Sequence, residues 1–152
     1  MRNLITIHDR AVALLSGPIP EAVALLFARL ALAGIFWRSG RSKVVEGSWL
    51  EISDATRFLF AEEYNGVPLP PELAAPMATF AEHLFPILLV LGLATRLSAL
   101  ALLSMTMVIQ IFVFPEAWWS VHSLWVALCL VLVARGGGLF ALDTVAGKIA
   151  RA

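Results

Sequence analysis

Four stretches of this chain are long and apolar enough to cross a bilayer, and no other feature restricts its fold as much. A hydrocarbon core about 30 Å thick takes roughly 20 helical residues. Backbone polar groups in lipid must be satisfied within the segment, so four such runs predict an all-α, integral membrane four-helix bundle. The runs cover 21–37, 73–93, 97–114 and 118–134. The first surrounds a lone Arg29 and the second surrounds Glu82 and His83, while the third and fourth carry no formal charge. Pro115 closes the third run; Arg135 followed by Gly136-Gly137-Gly138 closes the fourth, as a glycine C-cap does. Composition agrees with a single membrane domain over 1–152: 60% hydrophobic and 14% charged residues, with a mean hydropathy of +0.85.

Four spans place both termini on one side, together with the 92–96 turn, which is short enough to form only an antiparallel hairpin. That side carries Arg2, Arg10, Arg96, Arg135, Lys148 and Arg151, and the other carries Arg38, Arg41, Lys43 and Arg57. Basic residues predominate on the cytoplasmic side of membrane proteins, which predicts cytoplasmic termini. Trp37, Trp49, Trp118 and Trp119 fall on the opposite side as an expected interfacial belt. The first twenty residues contain His8 and Asp9 ahead of a short apolar patch, so they read as a retained amphipathic or irregular arm rather than a signal peptide. Acidic and basic residues balance at 11 each, and nothing points to nucleic acid.

Residues 38–72 are the only sizeable extramembrane piece. Ser53 or Asp54 can N-cap a short helix there, which Asn65-Gly66 and the prolines after it would end. Its Phe58, Leu59 and Phe60 predict a helix lying in the interface or folded over the mouth of the bundle, with Glu62, Glu63 and Tyr64 at its end.

The polar residues inside the spans carry the functional reading. A lone charge at mid-bilayer costs at least about 2.5 to 3.5 kcal/mol, so such residues turn inward and find partners. Arg29 and Glu82 each lie near the middle of their spans, which predicts an ion pair between them. His83, about 100° around the helix from Glu82, cannot share its partner; a neighbouring carbonyl or hydroxyl would satisfy it. His122 shares a helix face with Trp118, Trp125 and Cys129, and Gln110 lies at a similar depth. The expected result is a His122–Gln110 contact that, with 62–64, makes a polar, aromatic-lined pocket.

Several chemistries are set aside. The single cysteine, Cys129, allows no intrachain disulfide or CxxC pair. A haem between His83 and His122 would need ligands at one level, whereas these are offset by about 9 Å at 1.5 Å per residue. Met105 and Met107 point to different sides of one helix, which divides a copper set built from them, His122 and Cys129. No metal site is predicted. No nucleophile–base–orienter set, phosphate loop or zinc spacing is present either.

The segments RLALAGIFWRSGRSK (29–43), FAEEYNGVPLPPELAA (60–75), FAEHLFPILLVLGLATRLSALAL (80–102) and WWSVHSLWVAL with RGGGLFALD (118–143) resemble the DoxX family. The likeness runs from about residue 22 to the end of the last motif. It carries Arg29, Ser39, Gly40, Lys43, Glu82, Gly92, Arg96, Gln110, His122 and Asp143 onto positions of the family pattern, with His83 a departure. The resemblance implies a four-helix membrane protein of the bacterial inner membrane, related to the small subunit of a thiosulfate:quinone oxidoreductase. In some bacteria it also implies a membrane complex linking thiol redox to superoxide defence. Some members with a similar loop and a histidine in the fourth span occur beside genes for copper-binding modified peptides.

Two functions follow as expectations. One is a subunit or accessory protein of a quinone-linked redox system, not catalytic alone. There Arg29 is the partner of Glu82, Glu82 carries a proton, and His122 and Gln110 bind the quinone head group. Glu63, Tyr64 and Trp118 line the same pocket, and Lys43 with Arg38 and Arg41 attracts anions at the mouth. The other is a non-enzymatic scaffold for a lipid, an isoprenoid, or a copper-handling or redox partner. Small residues at Ala28, Ala31, Ala33 and Gly34 would permit close helix contacts within the chain or in a homo-oligomer.

Overall fold

The computed structural model describes residues 12–149; much of the expected N-terminal arm, with Arg2, His8, Asp9 and Arg10, lies outside that range, as does Arg151. The described residues form helices without strands, and four helical segments are long and apolar enough to span a membrane. Helix α1 is Pro18–Ser42 and begins on two prolines of its first turn, where the missing N–H groups cost nothing. It is longer at both ends than the apolar run. A tight turn with one antiparallel bridge, Val44 to Ile52, leads into α2, Asp54–Glu62. Ser53 supplies the cap, accepting the Thr56 amide at 3.2 Å.

Helix α3 is Pro71–Leu91 and contains Pro76 and Pro86. The missing N–H of Pro86 leaves the Glu82 carbonyl without its intrahelical donor. Gly92, in the left-handed region at φ +67°, ends α3, and Ala94 at φ +49° turns the chain into α4, Thr95–Phe112. The fourth span is built from three turn types in succession: a 3₁₀ turn Pro115–Ala117, a π-turn Trp118–His122, and α5, Ser123–Arg135. A further helix, α6, Leu142–Ile149, was not expected from the sequence; it follows the glycine turn.

Helices α1, α3, α4 and α5 pack around Leu25, Leu32, Phe36, Leu89, Leu102 and Leu132. The buried positions of α1 are Ala22, Leu25, Arg29, Leu32, Ala33, Phe36 and Gly40, one face at helical spacing. Its other face exposes Val23, Phe27 and Leu30. Lipid tails are as apolar as leucine, so close packing and internal hydrogen bonds hold the helices together.

Candidate functional site

Helices α1 and α3 run antiparallel in a register that brings the end of α1 against the middle of α3. Gly40 permits it: a Cβ there would stand 3.0 Å from the His83 ring and 3.1 Å from the Glu82 Cβ. Ser39, one residue before Gly40, and Lys43, three residues after it, therefore face Glu82. Lys43 Nζ lies 2.8 Å from Glu82 Oε2, with the two side chains only 9% and 2% exposed. The Ser39 hydroxyl donates to Glu82 Oε1 at 3.2 Å, and Lys43 Nζ donates to the Ser39 hydroxyl oxygen at 2.9 Å. The three side chains form a closed cluster in which every charge has an opposite charge or a dipole beside it.

Arg29 is not the partner of Glu82. It is fully buried, and its Nη1 and Nη2 donate to the carbonyls of Leu89 at 3.1 Å and Phe140 at 2.9 Å. Span midpoints misplace it because α1 outruns α3 at its N-terminal end. There the 136–141 segment packs over the α3–α4 turn, and Arg29 fills the joint between them. Lys43 is corrected with it: the side chain is a buried counter-ion, not a mouth cation. Of the other two basic residues, Arg41 is tied to the Ser48 carbonyl at 2.8 Å and Arg38 is exposed.

His83 makes the carbonyl contact expected of it, with Nδ1 donating to the Thr79 carbonyl at 2.7 Å and Trp37 edge-on at 5.1 Å between ring centres, while its buried Nε2 has no partner among the described residues. Gln110 and His122 do meet, at 2.7 Å between Oε1 and Nδ1, and the Gln110 amide nitrogen donates to the Pro115 carbonyl at 2.7 Å. That second bond orients the amide, so His122 donates from Nδ1. The π-turn carries His122 inward while Trp119 remains outside, 87% exposed.

The two halves of the expected pocket are separate. A cavity of about 370 Å³ lies between α3, α4 and the α2 segment; Lys43, Glu82 and Tyr64 line it, and Gln110, His122 and Trp118 do not. Apart from Ser104 its other walls are apolar, among them Phe60, Phe85, Met105 and Val108. Ala74, Ala78 and Ala81 leave the room on the α3 side, where larger side chains would fill the wedge between the helices. Met77 and Val108 are exposed, so the cavity opens sideways to the lipid-facing surface. Over its outer end lies α2: Phe60 is buried and stacks on Tyr64 at 4.6 Å, while Phe58 points away. Glu63 is exposed and does not line the cavity. Burial, and after it the nearby carboxylates of Glu82 and Glu63, push the Tyr64 phenol above its ordinary value, so it stays protonated and able to donate.

Sequence reasoning did not assign Ser39 its place on Glu82, nor Asp143 its work. The Asp143 carboxylate accepts the amides of Ala94 at 2.7 Å and Thr95 at 2.8 Å, an N-cap for α4 delivered from the far end of the chain. The available sequence signal was an alanine, Ala94, where α4 needs a capping Ser, Thr, Asn or Asp ahead of Thr95.

A family model described as DoxX matches residues 24–115. An uncharacterized protein of Haemophilus influenzae is 31% identical over 147 residues, covering 86% of this chain and 88% of the relative. No solved structure matches the chain.

Proposed function

Because the chain belongs to the DoxX family, we propose that it serves as a quinone-binding subunit or accessory protein of a membrane redox system. The observation that carries this reading is the cavity itself, apolar on its walls and open toward lipid, with a buried ammonium and carboxylate and a half-buried phenol at one end. A quinone has that division: a flat ring with two carbonyl acceptors, and an isoprenoid tail. At about 370 Å³ the space is at the lower end of ligand pockets, suited to a head group with its tail left in the membrane.

The Tyr64 hydroxyl, which has no protein partner among the described residues, is the donor for a carbonyl oxygen, while Lys43 Nζ is already engaged by Glu82 and Ser39 and contributes its charge. Glu82 holds or releases a proton at its carboxylate beside Lys43, and the Phe60–Tyr64 stack limits water at that end. A bound quinone would supply the electron transfer; the chain would bind, orient and manage protons for a partner that delivers or removes electrons. The reading also takes the protein to reside in a bacterial inner membrane with cytoplasmic termini, beside protein partners or a second copy of itself.

The test is to purify the full chain in mild detergent and identify what copurifies by mass spectrometry and absorption. A stoichiometric quinone, lost in Glu82→Gln and Tyr64→Phe and retained in His122→Ala, is expected. Loss in His122→Ala with retention in both cavity variants would overturn the assignment. A second reading, a non-enzymatic holder of an isoprenoid lipid or a recruiter of a redox partner, draws support from the closure of the Ser39–Lys43–Glu82 cluster on itself. A copurifying isoprenoid without a chromophore would select it.

A further inference from the structure

At the opposite end of the bundle is a larger cavity, about 730 Å³, unrelated to the Glu82 site. It is walled by the start of α1, the α3–α4 turn, the end of α5 and the glycine turn after it, with Arg96, Arg135, Thr95 and Gly136–Gly138 in its lining. Helix ends meet there, so it sits at the level where lipid head groups would lie. Leu97 and Leu139, 63% and 45% exposed, continue its rim as apolar surface.

The lining sets two arginines, Arg96 and Arg135, against two carboxylates, Glu21 and Asp143, and their contacts leave donors unused. Asp143 already accepts two amides, and Glu21 is held by Arg135. Arg96 uses Nη1 on the Val133 and Ala134 carbonyls, the latter at 2.9 Å, which leaves Nε and Nη2 without a protein acceptor among the described residues. Both nitrogens lie beside Gly136, 3.4 and 3.6 Å from where a Cβ would stand. In the glycine turn, the amides of Gly137, Gly138 and Leu139 donate to no carbonyl among the described residues, and Gly136 and Gly138 have positive φ. Successive free amides in such a turn make a concave anion cradle. Thr95 is fully buried, and its unpartnered hydroxyl lies 2.7 Å from the position a Gly137 Cβ would take.

We infer that this cavity binds a phosphate group through Arg96 and the glycine-turn amides, with Arg135 adding the Nη1 that Glu21 leaves unused, the source being an anionic phospholipid at the membrane surface or free phosphate. Arginine matches phosphate through its planar fork, and basic pockets between membrane helices select anionic head groups on this principle. The apolar rim favours the lipid source, because it continues the cavity into acyl-chain territory.

Native mass spectrometry of the full chain in detergent tests it, using phosphatidylglycerol, phosphatidylcholine and inorganic phosphate as probes. The expected result is a retained phosphatidylglycerol adduct that outcompetes phosphatidylcholine and weakens about fivefold in Arg96→Gln, the scale of one cation near a membrane surface. Because Arg96 also caps α5, Arg135→Gln is the second variant: its side chain is 61% exposed, so the fold should tolerate it, and binding should weaken in the same direction. Arg57→Gln, exposed on α2 at the other end of the bundle, should leave this adduct unchanged. Displacement by inorganic phosphate with no lipid preference would keep the phosphate site and assign its source to solution. Equal retention of both lipids with no phosphate effect, or equal losses in Arg57→Gln and Arg135→Gln, would overturn the inference.

Discussion

Replacing Lys43 by methionine keeps the length of the side chain and removes the only charge that faces Glu82 at 2.8 Å. With side-chain exposures of 9% and 2%, neither water nor salt screens the pair to any extent. Breaking a buried pair from one side costs about 3 to 5 kcal/mol, because the remaining charge is stranded. The carboxyl has an alternative, which is to take up a proton; from an ordinary value near 4.3, this costs about 3.7 kcal/mol at about pH 7. The cheaper route sets the outcome, so Lys43→Met should lose about 3 to 4 kcal/mol. Lys43→Met with Glu82→Gln strands nothing and should recover to within about 1 kcal/mol of the parent. Reversible unfolding of the full chain in mixed micelles, run as a double-variant cycle, reads this coupling directly. Arg29→Met combined with Glu82→Gln is the control and should be additive within about 0.5 kcal/mol, since the two share no partner. A loss below about 1 kcal/mol in Lys43→Met, or an Arg29–Glu82 coupling as large as the Lys43–Glu82 one, would refute the register argued here.

Other consequences are equally open to measurement. Tyr64 is the only tyrosine, so phenolate absorbance reports it alone, and its ionisation midpoint should lie above the ordinary value of 10.0. The folded chain holds that proton more tightly than the unfolded chain does. The associated stability is therefore full below about pH 10 and falls as pH rises toward the folded value, a loss that Tyr64→Phe should abolish in alkaline melts. Gly92→Ala should destabilise by about 2 kcal/mol or more, since a Cβ there meets the Arg29 guanidinium and Ala141 on a left-handed backbone. Gly34→Ala, with open space around the added atom, should be neutral or stabilise by about 0.5 to 1 kcal/mol in the same unfolding assay. Arg29→Gln should release the 136–149 segment, seen as faster amide exchange there while the 95–112 amides stay protected. Unchanged exchange in 136–149 would show that the segment docks without Arg29.

The helices themselves were readable because lipid removes every other option for the backbone. Their ends were less so: α1 runs past Trp37 to Ser42, since Arg38 and Arg41 can reach the interface or a carbonyl without leaving the helix. The Gln110–His122 contact was legible from depth alone, both residues being about one turn or so from the same short connection. Depth failed for Arg29 and Glu82 because they belong to helices of unequal length joined by a long loop. Short connections fix register; long ones do not. Ser39 and Asp143 were identifiable as residues but not as contacts, for their partners lie 43 and 48 to 49 positions away.

By itself, then, the sequence determined four membrane helices, the short capped helix between the first two, and the small set of polar residues that must face inward. Those follow from local rules of hydropathy, capping and the cost of a charge in lipid. Which inward residue meets which was decided by tertiary structure. On α1 the lipid-facing and core-facing side chains are equally apolar, so hydrophobic periodicity carries no rotation or register signal in this solvent. Register comes from the close approach that Gly40 allows and from the joint that Arg29 fills. Together they set Lys43, not Arg29, against Glu82, and place the apolar cavity beside that pair.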